Sequence, residues 1–288
     1  MRIRIGYDIT YICPRPTPMI LTLNVHPSRA RDLETPDYPT VYPMVPHSTY
    51  VDGFGNVCTR IVAPKGPIRF RADTVVHDSG LPDPYDRGAA LHSIHELPED
   101  TLVYLLGSRY CETDRLSQVA WNLFGQLPEN GFTRVQAICD FVHKHLTFGY
   151  KYARSTRSAY EAYNERVGVC RDFAHLAVAL TRCMNIPARY CTGYLGDIGV
   201  PVDPDPMDFS GWFEAYIGGQ WVTFDARHNT PRIGRVLIAR GRDASDVAIS
   251  TSYGLAWLSH FQVWTMEIPA GQVTVPIPAQ PVFGRPAV

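Results

Sequence analysis

Apolar and polar residues alternate from the start of the chain. Ile3, Ile5, Tyr7, Ile9 and Tyr11 fall on one face of an extended segment, and Arg2, Arg4, Asp8 and Thr10 on the other. A period of two rich in β-branched and aromatic residues predicts a half-buried strand. The same pattern returns over 19–25, where Leu21, Leu23 and Val25 share a face, and over 67–76, where Ile68, Phe70 and Ala72 oppose Arg69, Arg71 and Asp73. Asp52-Gly53-Phe54-Gly55-Asn56 is turn chemistry between two β-rich runs. Residues 1–78 therefore predict a small antiparallel β domain, a sandwich. The polar stretch 79–100, with Gly80-Leu81-Pro82-Asp83-Pro84, predicts a linker, and 101–288 a second unit.

In that unit the period lengthens. Val135, Ile138, Cys139, Val142 and Leu146 make one stripe of a helix over about 133–145. Ser158 and Glu161 have capping-box spacing and open a short helix that stops at Gly168. Cys170 then begins an apolar run, Phe173-Ala174, Leu176 to Leu180 and Cys183-Met184, that predicts a buried helix closed by Asn185-Ile186-Pro187. A thiol at a helix N-terminus faces unpaired N–H groups and the positive end of the helix dipole, which bias it toward the thiolate. The period returns to two in a strand over 188–195 and in a hairpin over 211–226 with its turn at Gly218-Gly219, and 261–267 predicts one more strand. Helices feeding an antiparallel sheet make an α+β class. The acidic, proline-stiffened loop 201–208 reads either as a lid or substrate rim or as a plain exposed loop.

Composition narrows the function. A formal net charge of -1, 19% charged residues and the lack of any Lys/Arg cluster predict neither a nucleic-acid nor an anionic-membrane partner. No run of about 18 uncharged apolar residues and no basic-then-apolar N-terminus occur, so a cytoplasmic protein is expected. Cys13, Cys58, Cys111, Cys139, Cys170, Cys183 and Cys191 are odd in number and never form C-x-x-C, which argues against a zinc site or disulfide framework. Asp203, Asp205 and Asp208 lack the glycine and spacing of an EF-hand loop. No metal and no cofactor is expected.

Three pieces together, Gly168-Val169-Cys170-Arg171-Asp172-Phe173-Ala174, Ile186-Pro187-Ala188-Arg189-Tyr190 and the hairpin from Trp212 to Asp225, resemble the bacterial branch of the transglutaminase-like superfamily, papain-like cysteine enzymes with a β-rich domain before the core. The resemblance spans nearly the whole chain. It implies a Cys nucleophile at the helix start, a His two residues before the hairpin Trp, and an Asp near the end of the second strand that orients the His. By position Cys170 is the nucleophile and Asp225 the orienting carboxylate, but Ser210 stands where the family has His.

The two-residue turn sets Ile217 opposite Gln220, hence Trp212 opposite Asp225 and Ser210 opposite Arg227. Residue 210 and Asp225 are then diagonal neighbours about 7–8 Å apart, a span that an imidazole bridges. A serine hydroxyl is no base, and roughly 10²–10⁴-fold of acid–base catalysis is forfeited unless another group supplies it. His228 is the candidate substitute, although the same register places it opposite Phe209, on the other face, from which it reaches Cys170 only through a bulge or twisted strand end. A site with no His base is the other reading. His175, ~140° around the helix from Cys170, points elsewhere and reads as structural. Asp225 is alternatively a hairpin-end carboxylate pairing Arg227. Trp212, Arg171 and Asp172 are expected at the substrate pocket, with core packing for Trp212 and a surface ion pair for Arg171 and Asp172 as the plainer readings.

Two functions follow. One is a thiol enzyme that forms a Cys170 acyl-enzyme from a peptide or small acyl substrate, an amide, ester or thioester, resolved by water or by an amine. The other is a catalytically impaired relative that binds a peptide or partner without turnover.

Overall fold

The computed structural model describes residues 1–269 and 271. Six strands come first: β1 (Arg2–Cys13), β2 (Thr17–Leu21), β3 (Thr40–Tyr42), β4 (His47–Val51), β5 (Val57–Ala63) and β6 (Gly66–His77). Then follow α1 (Thr113–Phe124), α2 (Gly131–His145), β7 (Thr147–Phe148), α3 (Ala159–Glu165), β8 (Val167–Gly168) and α4 (Cys170–Cys183). The last group is β9 (Ala188–Tyr194), β10 (Ser210–Ile217), β11 (Gln220–Phe224), β12 (Val236–Gly241), β13 (Ser250–Ser252) and β14 (Trp257–Ile268). Helices and antiparallel sheets together make the α+β class expected from the sequence.

Two four-stranded sheets, ordered β14-β1-β6-β3 and β13-β2-β5-β4, enclose the N-terminal core of Ile3, Ile5, Tyr7, Ile9, Ile61 and Phe70. Each takes one strand from the far end of the chain: β14 pairs with β1 from Arg2↔Ile268 to Ile12↔Trp257, and β13 pairs with β2. Residues 250–268 thus share sheets with residues 2–21, whereas the sequence groups them with 101–288; the part of that segment after residue 271 lies outside the described residues.

The first strand departs from a half-solvated one. Asp8 and Thr10 are buried and Arg4 nearly so. Burial of that polar face is tolerated because β6 supplies counter-charges: Arg4 holds Asp73 at 2.8 Å, and Asp8 accepts from Arg69 at 2.7 Å and Arg71 at 3.3 Å. A buried charge persists where it is paired and hydrogen-bonded.

The third four-stranded sheet, ordered β11-β10-β9-β12, carries α4 on one face. Phe173, Leu176, Ala177 and Leu180 of α4 share a core with Ile138 and Val142 of α2 and with Phe213, Ala215 and Ile217 of β10. On its other side Tyr194, Val236 and Ile238 join the core of the N-terminal strands. Helix α4 is buried from Asp172 to Cys183, as its all-round apolar sequence requires. Gly218 and Gly219 turn the β10–β11 hairpin with φ of 59° and 78°, which glycine adopts without steric cost.

Candidate active site

Cys170 is the first residue of α4, delivered there by β8, which pairs in parallel with β7. The close approach at this junction demands glycine, because a Cβ on Gly168 would lie 2.6 Å from Cβ of Asp172. Asp172 fixes the helix start: its Oδ2 accepts from Val169 N at 2.9 Å and from Arg157 Nη1 at 3.0 Å. Six of the seven cysteines are buried, and Cys170 alone keeps part of its surface exposed. Burial nevertheless pushes its thiol up to about 11; Arg227 and the Gly211 N–H pull the other way, while Asp208 and Asp225 reinforce the rise. The expected bias toward thiolate is therefore outweighed, since desolvation disfavours the charged sulfur. At rest Cys170 is a neutral thiol, and its deprotonation requires a base.

The last hairpin pair is Phe213↔Phe224, and the two-stranded register stops there. From Asp225 the chain coils into one helical turn, with Asn229 N donating to Asp225 O at 2.8 Å. Oδ1 of Asp225 accepts from the backbone N of both Arg227 and His228 at 3.0 Å, the Asx arrangement that starts such a turn. This turn overturns the placement of His228 across from Phe209: no strand continues to put it there. His228 instead folds back on Asp225, its Nδ1 donating to Oδ2 at 2.8 Å. Because a carboxylate oxygen accepts, that bond places a proton on Nδ1 and leaves Nε2 uncommitted to Asp225.

Asp225 is buried, and burial by itself would raise its carboxyl. Arg235, with Nη2 at 2.8 Å, and His228 overcome that cost and hold it well below the usual carboxylate range. Its ion-pair partner is Arg235, not Arg227. Asp83, from the segment read as a linker, accepts from Arg235 Nε at 2.8 Å and from Arg232 N at 2.9 Å, so 79–100 braces this end of the sheet. Helix α2 secures the turn from the other side. Asn229 donates to Asp140 at 2.8 Å and accepts from Gln136 at 2.8 Å, while His143 Nδ1 donates to Arg227 O at 2.8 Å.

His228, Arg227, Ser210, Asp208 and Tyr150 line a cavity of about 150 Å³, roomy enough for a side chain or a few waters. Arg227 and Asp208 also act electrostatically on the Cys170 thiol, and Tyr150 in turn feels the cysteine's charge. Cys170 itself does not line this cavity; Arg227, Asp208 and Tyr150, which do, are the residues that link it electrostatically to the thiol. Loop 201–208 forms one rim, with Val202 and Asp203 at its edge. Arg227 spans the site, its guanidinium 3.7 Å from the Phe148 ring centre and 3.9 Å from Asp203. Sequence reasoning considered Arg227 only as an ion-pair partner of Asp225; its place two residues after an Asp that caps a turn was the available signal for a role at the site.

The three residues expected at the pocket do not border this cavity. Trp212 is buried, with the Arg235 guanidinium 5.1 Å from its ring centre. Asp172 is consumed by the helix start. Arg171 donates to Ser155 O at 3.1 Å and to Arg154 O, and lies over Tyr110. Ser210 opens β10 opposite Gly193, and its Oγ has no hydrogen-bond partner among the described residues. His175 is fully buried: its Nε2 accepts from Ala244 N at 3.0 Å and its ring stacks on Tyr110, so burial holds it neutral, far below the ordinary histidine range. His92 caps the opposite end of the hairpin, accepting from Gly219 N. Among the described residues no group of three or more His, Cys, Asp or Glu side chains is arranged to hold a metal ion, and no helix is long and apolar enough to cross a membrane.

Residues 122–226 match the profile of the transglutaminase-like superfamily. The chain is similar over 95% of its length to a solved structure described as a candidate cysteine protease from Cytophaga hutchinsonii, with 30% identity, a TM-score of 0.81 and 92% of that chain covered. A Mycobacterium leprae protein is 34% identical over 97 residues, which is 32% of this chain and 33% of that protein. A Mycobacterium bovis protein is 28% identical over 223 residues, 69% of each chain.

Proposed function

The chain belongs to the transglutaminase-like superfamily, and from that premise we propose that it is a cysteine-nucleophile enzyme acting on an acyl group, with Cys170 as nucleophile, His228 as base and Asp225 as the carboxylate that orients it. The observation that carries this reading is the 2.8 Å bond from His228 Nδ1 to Asp225 Oδ2, a carboxylate whose charge acts on the Cys170 thiol. The superfamily's base lies on the strand before the hairpin Trp; here the same function is assigned to a residue on the turn after the second strand. Nδ1 is committed to Asp225, so Nε2 takes the Cys170 proton. Asp225, held ionised by Arg235, stabilises the imidazolium that results. The sulfur adds to the carbonyl carbon, and the backbone N–H groups at the start of α4 receive the oxyanion. Collapse expels the amine or alcohol, protonated by His228, and leaves a thioester on Cys170. Water or an amine then resolves it.

The high resting value of the thiol makes the base essential and suits activated acyl groups, esters and thioesters, as well as peptides held in register. The same value favours the alternative, a cleft that binds a peptide without turning it over. p-Nitrophenyl acetate separates the two. The enzyme reading expects acetylation of the wild-type protein, seen as an added acetyl mass confined to the peptide bearing Cys170 and lost in Cys170→Ala. A wild-type protein that releases p-nitrophenol no faster than Cys170→Ala sinks the enzyme reading.

A further inference from the structure

Strand β9 carries a tyrosine whose ring packs under α4 and whose hydroxyl the resting protein leaves unused. Tyr190 pairs with Phe213 of β10, so Gly211, two residues earlier on β10, is its diagonal neighbour on the same face. The side chain is buried, its ring 4.9 Å from the His175 ring of α4, and packing therefore fixes where it points. It points under Gly211: a Cβ on Gly211 would lie 2.6 Å from Tyr190 Oη, an approach that only glycine allows. Gly211 in turn directs its N–H at the Cys170 thiol. One glycine thus adjoins both the phenol and the nucleophile, and Tyr190 feels the charge of Cys170. A buried tyrosine hydroxyl ordinarily finds a hydrogen-bond partner. Tyr190 Oη has none among the described residues, and unlike the hydroxyls of Tyr7, Thr10 and Ser210 it is not sealed from solvent. Burial first, and Cys170 next, hold the phenol well above the ordinary tyrosine range, so at neutral pH it keeps its proton and has a hydrogen bond to give.

We infer that Tyr190 is a catalytic residue whose Oη donates a hydrogen bond to the oxyanion formed as Cys170 attacks the acyl carbon. The inference rests on the reading of Cys170 as the nucleophile and holds whichever group takes the thiol proton. As sulfur bonds to the carbonyl carbon, the π electron pair of the C=O bond moves onto oxygen. That oxygen accepts from Oη–H without taking its proton. The pair then re-forms the C=O bond, and the bond to the leaving oxygen or nitrogen breaks with its own pair on that atom. The leaving group departs with the proton taken from the thiol, and the thioester remains on Cys170. A donor already in place where charge develops needs no reorganisation at the moment of reaction. Because the hydroxyl has no partner at rest and gains one only as the oxyanion forms, the bond lowers the barrier instead of tightening substrate binding. It adds a side-chain donor to the N–H groups at the start of α4. It also gives the glycine at 211 a function, since any side chain there would displace the phenol.

Tyr190→Phe deletes the hydroxyl and keeps the ring, and two reactions of the same sulfur test it. Wild type and variant are treated with p-nitrophenyl acetate, and acetylation of the peptide bearing Cys170 is timed by mass. Both are also alkylated with iodoacetamide at about pH 8. Acetylation passes through an oxyanion, whereas alkylation is a displacement at a saturated carbon and does not. In Tyr190→Phe, acetylation slows about 10²-fold, the lower end of the range for loss of one oxyanion donor, while alkylation stays within about twofold of wild type. The melting temperature holds or rises, because the resting hydroxyl has no bond to lose. Acetylation of Tyr190→Phe within about twofold of wild type overturns the inference. Equal losses in acetylation and alkylation also overturn it, since the hydroxyl would then act on the thiol, and so does a clear fall in melting temperature, which would assign it to the fold. A wild-type protein that is never acetylated on Cys170 overturns the underlying assignment, a result independent of Tyr190.

Discussion

Two histidines near α4 have almost the same ingredients and opposite properties. His175 and His228 each have an aspartate close by, Asp243 for the first and Asp225 for the second. Burial separates them. His175 lies at 0% exposure, sandwiched by Tyr110 and Tyr190, with Nε2 spent on Ala244 N. The His228 side chain keeps 22% of its surface, spends only Nδ1, and turns toward a cavity. A carboxylate beside an imidazole does not make a base; a base needs a free nitrogen and access to the proton it takes.

The comparison is sharpened most by removing each ring in turn. His228→Ala lowers kcat/KM for p-nitrophenyl acetate by about 10²–10⁴-fold, the range for loss of a general base. His175→Gln, which retains an acceptor for Ala244 N, leaves turnover within a few-fold and shows its effect as a lower melting temperature. Equal losses of activity in the two variants would erase the distinction between them, and unchanged turnover in His228→Ala would remove that residue from the site.

The aspartate partner gives the next effect, read in stability. Asp225→Ala leaves Arg235 buried with only Asp83 to pair it and frees the backbone N–H groups of Arg227 and His228. Breaking a buried pair by deleting one partner costs about 3–5 kcal/mol. Because Asp83 remains, the expected loss in urea unfolding lies at about 3 kcal/mol. A loss below about 1 kcal/mol would show that the turn is held by α2, through Asn229, Asp140 and His143, and not by the carboxylate.

The difference between these two sites also marks how far sequence reaches. Elements with a strong local period were legible: β1, the stripe of α2, the buried run of α4, the capping box at Ser158 and the glycine turn at 218–219 all depend on residues within a few positions of one another. The pairing of β1 with β14 was not, because it joins residues about as far apart as the described chain allows and its register exists only once both sheets assemble. Cys170 and Asp225 were readable as candidates from the superfamily motif. The position of His228 was misread for a specific reason: the strand register was extended past Phe224, where the Asp225 side chain captures the backbone and starts a turn. The high value of the Cys170 thiol escaped for a related reason, since the helix dipole is visible in sequence and desolvation by tertiary neighbours is not.

Arg227 supplies the smallest effect, and it bears on why the two regions differ. It is the charge that most favours the Cys170 thiolate, against burial, Asp208 and Asp225. A thiol raised to about 11 ionises late, so iodoacetamide alkylation of wild-type Cys170 should climb with pH through 8 to 10 without the plateau that a thiolate formed below pH 8 produces. Removing a cation raises the value further, because the thiolate loses an opposite charge while the neutral thiol loses nothing. Arg227→Met, which keeps a long apolar stem over Phe148, is therefore expected to alkylate about three- to tenfold more slowly at pH 8, an effect reduced in wild type by added salt insofar as the guanidinium is screened. Faster alkylation in the variant would mean that Arg227 acts mainly as a steric cover over the sulfur.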